Sequence, residues 1–344
     1  MQLGIDSFVS QVTDPDTGRV VSPVERVAHL LEEVGRADEV GLDSFGIGEH
    51  HRSEYYDSAP VVLLAAAAAR TSRIRLNSAV AVLSAVDPVR LFQEFATLDL
   101  VSGGRTDLVV GRGSFTESFP LFGLSLRDYD DLFAEKLDLL LRIRDSTNVT
   151  WSGVHRPPLT GQGIYPRPVQ DPLPIWVGVG GTPESFARAG VLGLPLMVAI
   201  IGGEPRRFRP LIDRYRESGR RAGHPAAQLK VGLHCFGFVG DTTQQAMDDF
   251  YPGWAQMFTV IGRERGGSPP TRPGFDATCG PTGAYFIGDA DAVATKMLAV
   301  NEALGGVDRI ALQMTNWGLA HDNLLHGIEL LGTDVAPVVR AATG

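Results

Sequence analysis

Short apolar, β-branched segments alternate along the chain with longer segments of helical periodicity, the pattern of repeated β/α units around a parallel sheet. The strand segments are residues 2–9, 43–47, 74–83, 106–111, 175–179, 196–200, 230–239 and 309–314, eight in all. Helix starts lie between them. At Ser22-Pro23 a hydroxyl can cap a helix whose first position is held by a proline with preset φ, and that helix ends before Gly41. An Ala-rich helix is expected over 58–71, others from Asp87-Pro88 to about 101 and over 128–145, and more near Pro183, Glu204, Thr242 and His321. These units predict an α/β fold, a single TIM-type (β/α)8 barrel spanning 1–344 as one domain, with insertions after strand 4 and between strands 7 and 8. The first insertion, about 150–173, is too rich in Pro and Gly to be helical and is expected to hold irregular or hairpin structure. The second, about 263–283, is expected to act as a lid or mobile loop, followed by an apolar 284–287 and a helix from Asp289. An open doubly wound sheet fits less well, because its first strand is followed by a Gly-rich turn, whereas here Asp14, Pro15 and Asp16 follow.

The bulk properties agree with one large domain. The chain has 344 residues, 44% hydrophobic and 21% charged, the composition of an ordinary globular protein. A formal net charge of -9 speaks against nucleic acid as the main partner, since that binding needs clustered Lys and Arg. The N-terminus shows no signal-peptide pattern, and the longest apolar run stops at Arg70, well short of the roughly 20 residues a membrane span needs. A cytoplasmic protein without membrane contact is therefore expected. Cys235 and Cys279 form no Cys-x-x-Cys pair and read as reduced packing residues.

In such a barrel the chemistry collects where strands end at the C-terminal face. The second strand ends in Gly46-Ile47-Gly48-Glu49-His50-His51-Arg52. Neighbouring residues of an extended segment point to opposite sides, so one of His50 and His51 is expected to face the pocket. The cluster reads as a metal site, a proton-transfer or cofactor-contact histidine, or a loop whose polar groups satisfy one another. No His-Glu-x-x-His is present and no His-x-His follows the first strand, so no metal is expected.

The fourth strand ends in Gly111-Arg112-Gly113-Ser114, where the glycines leave the backbone open to a ligand and Arg112 offers a planar donor fork suited to phosphate. The alternative is a structural pair with a carboxylate such as Glu49. Gly180, Gly181 and Thr182 open onto a helix after the fifth strand, presenting backbone N–H groups to an anion, although tight packing alone also uses such turns. Together with Arg112 they suggest one bound phosphate. Ile200-Ile201-Gly202-Gly203, after the sixth strand, reads as an apolar, close-packed wall for a flat cofactor.

These segments, in this order, resemble the bacterial luciferase-like flavin-dependent oxidoreductases over nearly the whole chain. The resemblance is carried by Gly48-Glu49-His50-His51, by Asn77-Ser78-Ala79-Val80-Ala81-Val82-Leu83 leading to Asp87-Pro88-Val89-Arg90, and by Leu98-Asp99 with Ser102-Gly103-Gly104-Arg105. Gly111-Arg112-Gly113, Tyr165-Pro166-Arg167-Pro168-Val169-Gln170, Pro174-Ile175-Trp176-Val177-Gly178 and residues 288–293 add to it.

It implies a TIM barrel, often a homodimer, with reduced flavin at the C-terminal mouth. Arg112, Gly113, Gly180, Gly181 and Thr182 would surround the flavin phosphate, while Ser78, Ala79, Val80, Ile201 and Gly202 would contact the cofactor. The Ala79-Val80 bond stands where many relatives have a non-prolyl cis peptide. His50, with Glu49 beside it, stands at the catalytic position. Luciferase itself has a Glu-Ser pair in place of Gly180-Gly181, and a cysteine in place of Gly111, so light emission is not implied.

The implied function is a flavin-dependent monooxygenase that uses reduced FMN (FMNH2), delivered by a separate flavin reductase, and O2 to oxygenate a small-molecule organic substrate. An F420-dependent dehydrogenase or reductase on the same fold and a non-catalytic flavin-binding partner subunit are the alternatives. A glycoside hydrolase would need two facing carboxyl groups, and strands four and seven end without such a pair. The loops at 52–57, 115–122 and 263–283 are expected to set substrate choice.

Overall fold

The first strand is paired on both edges, and this closes the sheet. In the computed structural model, which describes residues 1–15 and 17–344, β1 (Gln2–Ser7) runs parallel to β2 (Ser44–Ile47) on one side and to the last strand, Arg309–Gln313, on the other. Residue 16, in the loop read as Asp14-Pro15-Asp16, lies outside the described residues.

Between β1 and β2 comes α1 (Pro23–Glu39), and after β2 come α2 (Pro60–Ala68), β3 (Arg75–Ser78), β4 (Ala81–Val82), α3 (Pro88–Ser102) and β5 (Thr106–Gly111). A short α4 (Ser118–Leu121), α5 (Tyr129–Asp145) and the antiparallel hairpin β6 (Asn148–Trp151) and β7 (Leu159–Gly163) precede β8 (Ile175–Val179). Then follow α6 (Pro183–Val191), β9 (Leu196–Ala199), α7 (Arg209–Arg221), β10 (Val231–Val239), α8 (Thr243–Glu264) and α9 (Arg272–Cys279). The chain continues with β11 (Phe286–Gly288), α10 (Ala290–Ala303), β12 (Arg309–Gln313), α11 (His321–Leu330) and α12 (Ala336–Thr343). Strands β1, β2, β3, β5, β8, β9, β10 and β12 form a closed parallel barrel, the TIM architecture.

The local reasons are those the residues suggest. Ser22 Oγ accepts from Glu25 N at 3.3 Å, and Asp87, Thr242 and Asp289 cap α3, α8 and α10 in the same way. Gly103, at φ 68°, ends α3 in the left-handed region that costs a glycine nothing. At the N-terminal end of the barrel Asp107 Oδ2 accepts from Arg309 Nη2 at 2.8 Å, while Oδ1 accepts from Arg75 Nε at 3.1 Å. Burial alone would raise the Asp107 carboxyl, but the two guanidinium groups hold it below its ordinary value.

Several segments differ from the expectation. The segment 74–83 is two strands: β3 stops at Ser78, a cis peptide joins Ala79 to Val80, and β4 pairs with β5 alone. The Ala-rich helix is shorter, Pro60–Ala68. The stretch 150–173 does hold a hairpin, whose first strand begins at Asn148. The stretch expected as a lid or mobile loop is partly helical, since α8 runs to Glu264 and α9 fills residues 272–279. The second half of the apolar 284–287 lies in β11, which pairs with β10 outside the barrel closure. Both cysteines are buried and unpaired.

Helices α6 and α7 cross at a glycine contact, where a Cβ on Gly190 would lie 2.3 Å from the Tyr215 carbonyl oxygen. Gly190→Ala gains up to about 1 kcal/mol of helix propensity, but the backbone clash outweighs it. The variant is expected to lose about 1 to 3 kcal/mol net in urea unfolding, and unchanged stability would show that the helices part freely.

Candidate active site

A cavity of about 700 Å³ opens at the C-terminal end of the barrel, lined by Glu49, His50, Ser78, Ala79, Val80, Arg112, Gly113, Gly180, Gly181, Thr182, Ile201 and Gly202, while Ile200 and Gly203 lie outside its lining. His50 and His51 both line it as well. The expectation that only one would do so fails because β2 ends at Ile47, so the alternation of an extended strand no longer applies beyond that point.

The ledge at 79–80 is built by packing. Val80 packs against the cluster formed by Val109, Trp176 and Met197. A Cβ on Gly111 would lie 2.6 Å from Val80 Cγ2, and one on Gly178 would lie 2.8 Å from Val80 Cγ1. These two glycines therefore make room for a valine rather than for a ligand. Ser78 Oγ is bonded on both counts to Val109, accepting from its N–H at 3.0 Å and donating to its carbonyl at 2.8 Å. Glu49 holds the far side, with Oε2 accepting from Val82 N at 2.8 Å and Oε1 lying 3.1 Å from His51 Nε2.

His50 is oriented by a residue the sequence reading missed. Asp57, fully buried, accepts from the His50 backbone N–H at 3.1 Å and lies 2.8 Å from His50 Nδ1. Burial raises the Asp57 carboxyl above its ordinary value, against the pull of His50. With Nδ1 so engaged, Nε2 is left for the cavity. The imidazole stacks on Tyr55 at 4.5 Å and meets Phe8 at 4.5 Å. Asp57 lies seven residues past His50 in a loop assigned only to substrate choice, so spacing gave no signal for the pair.

A second dyad lies on the cavity floor, where His234 Nδ1 is 2.6 Å from Asp6 Oδ2. Its partners are 228 positions apart and sit inside strands, away from the strand ends where chemistry was sought. Gly46 lets the floor close, for a Cβ there would meet Asp6 Oδ1 at 2.1 Å and Asn77 Nδ2 at 2.5 Å.

At the rim Arg112 pairs with Asp130, donates to Ser185 Oγ at 3.3 Å, and lies 5.2 Å over the Tyr129 ring. It does not pair with Glu49. Ser185 belongs to the first turn of α6, whose cap residue Thr182 makes no side-chain cap bond. Added side-chain carbons at Gly180 and Gly181 would meet nothing within 4 Å. Arginine and helix start thus form an anion pole with open space before it. Ile201 is 49% exposed, so this segment forms a rim rather than the close-packed wall expected of it. Over the opposite side Arg52 binds Glu54, Glu117 and Glu264 at 3.1, 2.8 and 2.7 Å, and Arg265 donates to the Ser114 carbonyl at 2.8 Å. The end of α8 and the residue after it are thereby fastened over the cavity.

The residues present suit a phosphate-bearing, flat cofactor. The anion pole supplies fixed donors, the walls are mostly apolar, and Asp6 Oδ1 and Asn77 Oδ1 are buried without a hydrogen-bond partner on the cavity floor. Among the described residues no cluster of His, Cys, Asp or Glu is arranged to hold a metal ion.

The family model described as luciferase-like monooxygenase matches residues 1–307. The chain belongs to the luciferase-like monooxygenase family. It is 27% identical over 330 residues to the 4-hydroxyprotoasukamycin monooxygenase of Streptomyces nodosus subsp. asukaensis, covering 89% of this chain and 85% of that one. The oxygenating constituent of 3,6-diketocamphane monooxygenase from Pseudomonas putida, solved with FMN, superposes with a TM-score of 0.74 at 20% identity, over 98% of each chain. An F420-dependent secondary alcohol dehydrogenase, solved with an F420–acetone adduct, gives 0.76 at 20% identity, over 98% of this chain and 99% of that one. At such identity the two structures speak for the fold. This luciferase-like enzyme is thus an oxidoreductase built on the expected barrel, and no helix among its described residues is long and apolar enough to cross a membrane.

The hydrogen bond that Glu49 accepts from its ring raises His51 above the ordinary imidazole value, against the opposing pull of burial. Protonated His51 therefore stabilises the fold below about pH 6.5, and that contribution is lost as pH rises through the raised folded value. In Glu49→Gln the His51 NMR titration is expected to move down and this pH dependence of stability to flatten. A titration that stays in place would remove Glu49 as the cause.

Proposed function

We propose that this chain is a monooxygenase that uses reduced FMN and O2 to oxygenate a small organic molecule, the FMN being reduced by a separate flavin reductase. The observation that carries the reading is the anion pole of Arg112 and the start of α6, set at one side of an otherwise apolar cavity with open space before Gly180 and Gly181. The monooxygenase relative that spans 89% of this chain supports oxygenation as the reaction.

Reduced flavin supplies the electrons with which O2 is activated. The chain's residues do the rest. Arg112, whose partner Asp130 is exposed, would hold a phosphate together with the N–H groups before and within the first turn of α6. The Ala79-Val80 ledge would carry the ring, with Ile201 and Gly202 also on the cavity lining. Glu49, with both oxygens engaged, positions that ledge rather than touching substrate. His50, its Nδ1 held by Asp57, takes up or gives a proton at Nε2. Phe8, Tyr55 and Phe115 around it exclude water.

The enzyme works as a homodimer in this reading. Helix α2 is apolar throughout, and Val62 on it is 69% exposed, as expected of a helix that a second copy covers.

Fluorescence titration with FMN and F420, each oxidised and reduced, tests the cofactor. Reduced FMN is expected to bind most tightly, and Arg112→Ala to weaken it roughly tenfold to a hundredfold, the worth of a charge-assisted contact. A preference for F420, or no effect of Arg112→Ala, would overturn the assignment.

A further inference from the structure

We infer that the His234–Asp6 dyad is a second polar contact in the cavity, and that it recognises the hydroxyl group of a planar aromatic substrate. The inference deepens the proposed function by naming a substrate class for the same cavity, and it depends on that reading only for the fate of the molecule bound.

Asp6 and His234 come from strands on either side of β12, and both are buried at the cavity floor. Asp6 Oδ2 lies 2.6 Å from His234 Nδ1. A carboxylate accepts only, so Nδ1 carries the hydrogen, and the Nδ1–H tautomer presents a lone pair at Nε2. A dyad that served only to fill the core would have this second nitrogen satisfied by the protein. Here Nε2 has no hydrogen bond to any described residue, is not among the sealed polar atoms, and belongs to a residue lining the cavity.

The floor around it is short of partners too. Asp6 Oδ1 and Asn77 Oδ1 are buried acceptors without a donor, each on a residue 2% exposed that lines the cavity. Those two atoms are sealed from the cavity, so His234 Nε2 is the acceptor on this floor that a ligand can reach, and a ligand that donates one hydrogen bond satisfies it. A hydroxyl does so, whereas an ether or a halide does not.

The surroundings specify what carries the hydroxyl. Phe8 stacks on the His234 ring at 5.5 Å and 13°, and also meets the His50 ring. Phe236 and Phe258 line the same cavity, their rings 5.8 Å apart. Flat faces favour a flat partner. Phe8 is held in place by a strained connection, for Val9 directly after it is fully buried with φ 45°, a region β-branched residues avoid. The buried Arg26 fastens this turn, donating to the Ser10 carbonyl at 3.2 Å and pairing with Glu33 at 2.9 Å.

The test is calorimetric titration of the protein, with and without saturating FMN, using 1-naphthol, 1-methoxynaphthalene and 1-octanol as probes. The wild type is expected to bind 1-naphthol at least about tenfold more tightly than the methyl ether, the worth of one hydrogen bond to a buried acceptor. Asp6→Asn/His234→Phe, which removes the buried charge together with its partner, is expected to abolish that preference while the FMN affinity stays constant. Asp6→Asn alone keeps the volume of the floor, so it serves if the double variant does not fold. Its amide can accept from Nδ1 through Oδ1 or donate to it through Nδ2, so Nε2 is no longer held as an acceptor and the preference for 1-naphthol is expected to shrink. Four results would each overturn the inference: no preference for 1-naphthol in the wild type, a preference that survives in the variants, loss in His50→Gln instead, or 1-octanol binding as tightly as 1-naphthol. A fall in FMN affinity with the preference intact would assign the dyad to the cofactor and overturn it equally. A protein that binds no flavin yet shows the expected preference would remove the monooxygenase reading and leave this one standing.

Discussion

The mouth of the barrel depends on one carboxylate. Glu49, at the end of the second strand, receives the Val82 N–H on one oxygen and faces the His51 imidazole with the other. The first contact holds β4 against β5 after the third strand has left the barrel at Ser78. Val80 then enters the barrel between Gly111 and Gly178, where no larger residue would leave it space. Hydrogen bonds to an ionised carboxylate are roughly twice as strong as neutral ones, and burial of this one leaves little water to compete. A loop that would otherwise slide is thereby fixed into a ledge.

From that ledge the cavity divides by chemistry. Its rim has an arginine and a helix start, its walls are aromatic and aliphatic, and its floor carries acceptors. The whole chain is acidic, with a net charge of -9, so its long-range field does not draw an anion in. Screening reduces that field beyond about 8 Å at physiological salt, and short-range donors at the rim decide what is held. The two histidine dyads, His50–Asp57 and His234–Asp6, lie on either side of Phe8. Each carboxylate fixes its imidazole's tautomer and leaves Nε2 toward the cavity.

Much of this was legible in the sequence because it is local. Strand and helix alternation, the caps at Ser22 and Asp87, and the strand-end groups Glu49-His50-His51, Gly111-Arg112-Gly113 and Gly180-Gly181-Thr182 all follow from neighbouring residues. What stayed hidden depends on contacts between distant segments. Nothing near Asp6 points to His234, and nothing near Arg52 points to Glu264. The break of the third strand was invisible for a related reason: 74–83 is uniformly suited to a strand, and only Glu49 and the glycines of β5 and β8 redirect it. The role of Gly111 was misread on the same ground, since an open backbone looks alike whether a ligand or a valine occupies the space.

The most direct test of the account is a crystal structure of the protein soaked anaerobically with reduced FMN. The account predicts the phosphate within hydrogen-bond distance of the Arg112 guanidinium and the first N–H groups of α6, the ring lying against Ala79-Val80, and Glu49 still bonded to Val82. A phosphate bound away from Arg112, or a ring that displaces the 79–80 ledge, would contradict it.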